Sequence, residues 1–208
     1  MCIRDSLIAL RQTNLVRMLA YSGIAQAGYM IAPLAVFGQG PNPELAQSAI
    51  VNYLVIYAAM NLGAFTVVII GARKTQSAEI ESFGGMFRYS PGLAAAMVIF
   101  LFSLTGIPPM GGWLAKFQVF KVLIEADTNA GLVLALIGAV NSVIAAFYYL
   151  SVAKNIVLLP SPDGDNSPIK IPPALTAALA ITVVVTIATG VTSFAPDITD
   201  FGAFAAAE

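Results

Sequence analysis

The chain has 208 residues, 58% of them hydrophobic and only 10% charged, with a formal net charge of −1. A soluble domain carries about 25% charged residues, so this chain lacks the polar surface to face water, and lipid is the solvent its composition fits. There is no histidine and a single cysteine, Cys2, which excludes His-ligated haem, His-metal sites, Ser-His-Asp chemistry and a cysteine-bound iron–sulfur cluster. Neither a dinucleotide-binding nor a Walker A glycine pattern occurs, so nucleotide binding is unsupported, and a near-neutral charge offers no nucleic-acid footprint.

In chain order, Met1–Ser6 (MCIRDS) is polar and leads, without a signal-type apolar region, into sequence that reads as mid-protein. These six residues are expected to be a non-native start, with a single transmembrane domain over residues 7–208. Five apolar runs follow, at about 17–37, 47–71, 91–126, 130–159 and 172–194. Each reaches or exceeds the ~20 residues that cross about 30 Å of hydrocarbon. Backbone groups in lipid must be satisfied within the segment, so the runs predict helices and an all-α membrane fold. Ten-residue segments of period two, the mark of a membrane β-barrel, are absent.

Lys and Arg divide unevenly between the two sides that five crossings define. One side takes Arg4, Arg11, Arg17, Arg73, Lys74, Arg88, Lys154 and Lys170, and the other takes Lys121 alone. The positive-inside rule then predicts a cytoplasmic N-terminus and an outer C-terminus. Glu44, Glu125, Asp127, Asp197, Asp200 and Glu208 fall on the outer side.

The third run is too long for one span, since a continuous helix over it would measure about 54 Å. Its middle reads Gly106-Ile107-Pro108-Pro109-Met110-Gly111-Gly112. Two prolines remove backbone donors and clash with the preceding turn, and the glycines permit non-helical angles. The expectation is a discontinuous helix broken at Gly106–Gly112, with Gly106, Pro108, Pro109, Gly111 and Gly112 as the break. Broken helices at this depth mark ion or substrate sites in transporters.

Lys116 follows the break by about one turn. An ammonium at the bilayer centre costs about 2.5–3.5 kcal/mol on insertion scales, so its presence asks for a reason. The functional reading is proton transfer, by a group whose charge responds to its neighbours. The bland reading is a stem that snorkels to the interface. Lys121, with Glu125 four residues on, suits that role better.

Polar stripes run along the other helices. Ser22, Gln26 and Tyr29 share one helix face, as do Tyr53, Tyr57 and Asn61, and the fourth run holds Asn141, Ser142, Tyr148 and Tyr149. Ser22, Gln26, Tyr57, Asn61 and Tyr148 are the candidates for a hydrated proton path. Ordinary interhelical hydrogen bonding, worth about 0.6 kcal/mol each, is the competing explanation. Ala59 and Gly63 read as a close-packing pair.

Two blocks carry a family resemblance. Gln12–Ser22 (QTNLVRMLAYS) with Gly28-Tyr29, and Leu104–Pro109 (LTGIPP) with Gly112–Phe117 (GWLAKF), resemble the antiporter-like membrane subunits of NADH-quinone oxidoreductase, respiratory complex I. Their spacing and Asn61–Phe65 (NLGAF) resemble subunit N in particular, over Leu7 to about Pro196. The resemblance implies a channel of two inverted repeats, each with a broken helix that carries a lysine, of which this chain would be the C-terminal fragment. Lys116 would match the lysine beside the outward exit half-channel. The implied function is outward proton translocation in the bacterial inner membrane, coupled to quinone reduction in other complex I subunits. NADH, flavin, iron–sulfur clusters and quinone would belong to those partners, with no cofactor or metal in this chain. A multisubunit cation/proton antiporter and a passive scaffold are the rival readings. Subunits of this type usually carry Lys where this chain has Val16, and His where it has Gln26, which holds no charge.

Overall fold

The computed structural model describes residues 3–40, 44–162, 164–165, 167–169 and 171–192. Met1, Cys2, Lys170, Asp197, Asp200, Glu208 and the end of the fifth expected span lie outside them. Eight α-helices follow in order: α1 (Ile3–Ala9), α2 (Leu15–Ile31), α3 (Glu44–Thr75), α4 (Met86–Tyr89), α5 (Pro91–Thr105), α6 (Gly111–Glu125), α7 (Asn129–Leu158) and α8 (Pro173–Thr192). Short 3-10 turns at Ala32–Val36 and Ile80–Phe83 complete the order. Among the described residues the only extended pairing is an isolated bridge between Asn14 and Glu79.

Four segments are long and apolar enough to cross a bilayer: Leu15–Val36, α3, α7 and α8. The fifth crossing is shared by α5 and α6, two helices of 15 residues each. The five expected runs are thus helical over most of their described residues, with the third discontinuous. α3, with 32 residues, is about 48 Å long and projects past the hydrocarbon at one end or both. Ile3–Ala9, which includes part of the start expected to be non-native, is helical, and Asp5 and Ser6 are buried.

The core is built largely from large buried side chains. Tyr29, Tyr53, Tyr149, Phe83 and Phe100 are all buried, and the Phe100 ring of α5 lies directly over Gly63 of α3. The outer faces are apolar instead: Leu136, Val143 and Phe147 of α7 and Ile181 and Val184 of α8 are each more than 60% exposed. Such faces suit lipid or another membrane helix, not water.

The polar ends are tied by local hydrogen bonds. Asn14 caps α2 by accepting from the Arg17 amide at 3.2 Å. Its side-chain amide donates to Glu79 at 3.2 Å. Backbone bonds from Leu15 to Ala78 (2.8 Å) and from Ile80 to Thr13 (2.7 Å) bind the α3–α5 connection to the start of α2. The bonds from Thr13 and Asn14 hold the half-buried Glu79 carboxyl below the usual carboxylate range.

Candidate functional site: a buried lysine at a broken helix

In a continuous helix the carbonyl of residue i accepts from the amide of residue i+4. For Leu104 and Thr105 those positions are Pro108 and Pro109, which have no N–H. The two prolines therefore end α5 and leave these two carbonyls without backbone donors. Gly106 closes the helix in the left-handed region, at φ +91°, a conformation glycine adopts at no cost. Its amide bonds back to Phe102 (3.0 Å) and Ser103 (2.9 Å).

The second half-helix returns close beside the first. A Cβ on Gly112 would lie 1.8 Å from the Ser103 carbonyl oxygen, so only glycine fits there. The Ser103 hydroxyl accepts from the Gly112 amide at 3.0 Å. The unwound stretch is thus Gly106–Met110, and Gly111 and Gly112 already belong to α6. α8 covers the break, with Gly190 against the Pro109 carbonyl and Thr189 against Gly111.

This arrangement places Lys116, 4% exposed, over the end of α5. Its Nζ donates to Leu104 O at 3.0 Å and to Thr105 O at 2.7 Å, the two carbonyls that the prolines leave open. The negative end of the α5 dipole faces the ammonium, and the Tyr29 ring centroid stands 5.2 Å away. No carboxylate pairs with Lys116 among the described residues. Lys121 instead pairs with Glu125 at 3.8 Å, both side chains open to the surroundings.

A string of polar groups leads to Lys116. Gln26 Nε2 donates to the same Leu104 carbonyl at 3.1 Å and lies 3.4 Å from the Tyr149 hydroxyl. Ser22 and Tyr149 are hydrogen-bonded through their hydroxyls, and the Tyr53 hydroxyl donates to Gln26 Oε1. Tyr29, stacked on Tyr53 with ring centroids 6.3 Å apart, donates to Gly138 O at 2.6 Å and meets Ser142 Oγ at 2.7 Å.

Of the sequence candidates, Ser22, Gln26 and Lys116 come together. Tyr57 turns its hydroxyl toward Gly23, and Asn61 is half-buried outside the string. Tyr148 is buried beside the string, its ring 4.4 Å from that of Tyr149. Asn141 is fully buried. Tyr53 and Tyr149 complete the string, and the carbonyls of Leu104 and Thr105 complete the lysine's shell. The tyrosines are neighbours of candidates on the same helices, and periodicity alone does not choose between them. The carbonyls had a readable signal, the i+4 offset from Leu104-Thr105 to Pro108-Pro109.

A lysine bonded to two carbonyls has a specific capacity. The ammonium carries three N–H donors, and the neutral amine carries two plus a lone pair. Both carbonyls remain satisfied in either state, so the third proton can leave or return without breaking the shell. Among the described residues no three His, Cys, Asp or Glu side chains converge as a metal site.

Comparisons with known proteins show the family of the chain. The family described as NADH:quinone oxidoreductase/Mrp antiporter, TM matches residues 2–145. NADH-quinone oxidoreductase subunit N of Chloroflexus aggregans is 41% identical over 88% of this chain, a stretch that is 36% of the relative. Among solved structures, a chain of respiratory complex I from Thermus thermophilus with bound aureothin is 28% identical with a TM-score of 0.67. The match covers 91% of this chain and 40% of that one. A chain of the Mrp complex from Dietzia sp. superposes with a TM-score of 0.77 at 20% identity, over 92% of this chain and 42% of that one, a likeness of fold. The chain thus spans little more than a third of the length of the relatives it matches. The family model covers residues 2–145, more than half of the chain, and the chain belongs to the NADH:quinone oxidoreductase/Mrp antiporter transmembrane family.

Proposed function

We propose that this chain is the C-terminal part of a subunit-N-type membrane subunit of NADH-quinone oxidoreductase, and that Lys116 is its proton-transfer site. The observation that carries this reading is the shell of Lys116: two proline-freed carbonyls and no carboxylate partner. Ser22, Tyr149 and Gln26 form the approach to it. Burial and the bond to Leu104 O support transfer over a snorkelling role, because the Nζ points into the bundle. Tyr148 flanks the string beside Tyr149, and Tyr57 and Asn61 belong to a wider path only if water joins them to it.

In this reading the protein lies in the bacterial inner membrane with the Arg- and Lys-rich ends cytoplasmic. Protons move outward, driven by quinone reduction in partner subunits, which hold the flavin, iron–sulfur clusters and quinone and take NADH as donor. The translocase activity belongs to the assembled complex.

The test uses the full-length parent in its native complex, reconstituted in liposomes, as wild type, Lys116→Ala and Lys116→Gln. NADH-driven quinone reduction and proton movement are recorded together. With assembly intact, pumping is expected to fall in both variants by about tenfold or more, about 1.4 kcal/mol in barrier terms. Wild-type pumping in both would overturn the reading and leave a scaffold. Cation-driven proton exchange without any electron donor would favour a cation/proton antiporter, as the likeness of fold to the Mrp complex suggests.

A further inference from the structure

The end of α3 and the segment leading into α8 enclose a cavity of about 340 Å³. Arg73, Lys74, Asp165 and Ser167 are among its polar lining residues, and Ile70, Ile169 and Leu175 among its apolar ones. Arg73 and Lys74 directly follow the apolar body of α3, and Leu175 lies in the first turn of α8. A polar rim over an apolar wall at the end of two membrane helices is the profile of a phospholipid, with its head group at the rim and its chains along the wall.

The charges select the lipid. Lys74 is engaged: its Nζ lies 3.6 Å from the Asp165 carboxylate, donates to Ser167 O at 2.5 Å and stands 4.0 Å from the Tyr89 ring centroid. Bonds from the Ser167 amide and hydroxyl, with Lys74 beside it, hold the Asp165 carboxyl below the usual carboxylate range. Asp165 therefore stays ionised and neutralises Lys74. Arg73 is exposed, and its guanidinium has no ion-pair or hydrogen-bond partner among the described residues. Among the described residues one positive charge is left uncompensated beside the cavity, and a guanidinium suits a phosphate diester.

We infer that this cavity binds an anionic phospholipid of the phosphatidylglycerol type, its phosphate on Arg73 and its acyl chains against Ile169 and Leu175. The Ser167 carbonyl and the Asp165 carboxylate supply acceptors for the head-group hydroxyls. A zwitterionic lipid brings its own cation beside Arg73 and Lys74 and is disfavoured. This site lies apart from the Lys116 string and does not depend on its function.

Vesicles of equal parts phosphatidylglycerol and phosphatidylcholine test it, with the full-length parent in its complex and a diazirine on one lipid at a time. Photolabelling of peptides that contain Ile169 or Leu175 is expected to be about fivefold higher for phosphatidylglycerol. Arg73→Gln, an exposed change with no packing to lose, is expected to abolish the preference. Equal labelling by both lipids in the wild type would overturn the inference, as would an unchanged preference in Arg73→Gln. Absence of any lipid label, with protein cross-links at those positions instead, would show that another subunit covers the cavity and would also overturn it.

Discussion

Lys116 and Gln26 donate to one and the same acceptor, the carbonyl oxygen of Leu104, at 3.0 and 3.1 Å. The two residues stand on different helices, and the carbonyl that joins them is on a third. A change of charge on Lys116 alters the field at Leu104 O and therefore the bond that Gln26 makes. Gln26 in turn holds Tyr53 and approaches Tyr149. The proline-made gap in α5 is thus the junction between the lysine and the polar string.

Lys116→Gln and Lys116→Ala are expected to separate structure from proton chemistry. Alanine leaves the Thr105 carbonyl without a donor, at about 1–3 kcal/mol, while Leu104 O keeps Gln26 as its donor. Glutamine offers two N–H donors but no exchangeable charge. Stability of the purified complex should fall in Lys116→Ala and be largely retained in Lys116→Gln, while pumping is lost in both. Denaturation of the detergent-solubilised complex, measured beside proton uptake, checks this pairing.

Gln26→Leu removes the acceptor of the Tyr53 hydroxyl in a fully buried setting. A loss of about 1–3 kcal/mol follows from the orphaned hydroxyl, with slower proton transfer. Tyr57→Phe, which leaves the string intact, is expected to stay within about 0.5 kcal/mol. Equal effects of the two substitutions on proton flux would count against the string as the approach to Lys116.

Gly112→Ala drives a methyl into the Ser103 carbonyl, 1.8 Å from an ideal Cβ. Relief requires the two half-helices to separate, at about 3 kcal/mol. Gly190→Ala meets the Pro109 carbonyl at the same distance from the α8 side. Both variants should lower the yield of assembled complex. Ser103→Ala, which loses the bond to the Gly112 amide, should cost about 1 kcal/mol. Comparing assembled yields in membranes orders the three.

The Asp165 clasp on Lys74 makes an acid-sensitive tie between α3 and the segment before α8. Its carboxyl sits below its usual value, chiefly through the Ser167 amide and hydroxyl. A depressed folded value contributes stability that is present above the unfolded value and lost as pH falls through the folded one. The tie is therefore expected to hold at neutral pH and to loosen in acid, below the ordinary carboxylate range near 4. Amide exchange at Ser167 should accelerate as pH is lowered, after correction for intrinsic rates, and Asp165→Asn should remove that pH dependence.

Most of the fold was legible before any coordinate. Apolar run length, the Pro108-Pro109 pair and the flanking glycines are local properties, and lipid allows the backbone few alternatives. The five spans and the discontinuity therefore follow from the sequence to within a few residues. The edges differ where turns intervene: α3 extends from 44 to 75 instead of 47 to 71, because helical bonds persist beyond the apolar stretch into the polar ends.

The sequence by itself determined which runs are long and apolar enough to cross a bilayer, where the third run breaks, and that Lys116 sits one turn past the break. Each of these is set by composition and by residues within a few positions of one another. Only the tertiary structure decided that Tyr53 and Tyr149 join Gln26 and that Lys116 and Gln26 share Leu104 O. Those contacts join residues 27, 123, 12 and 78 positions apart. Helix periodicity names a face but not the partner it meets; the rotation of each packed helix chooses between neighbours such as Tyr148 and Tyr149.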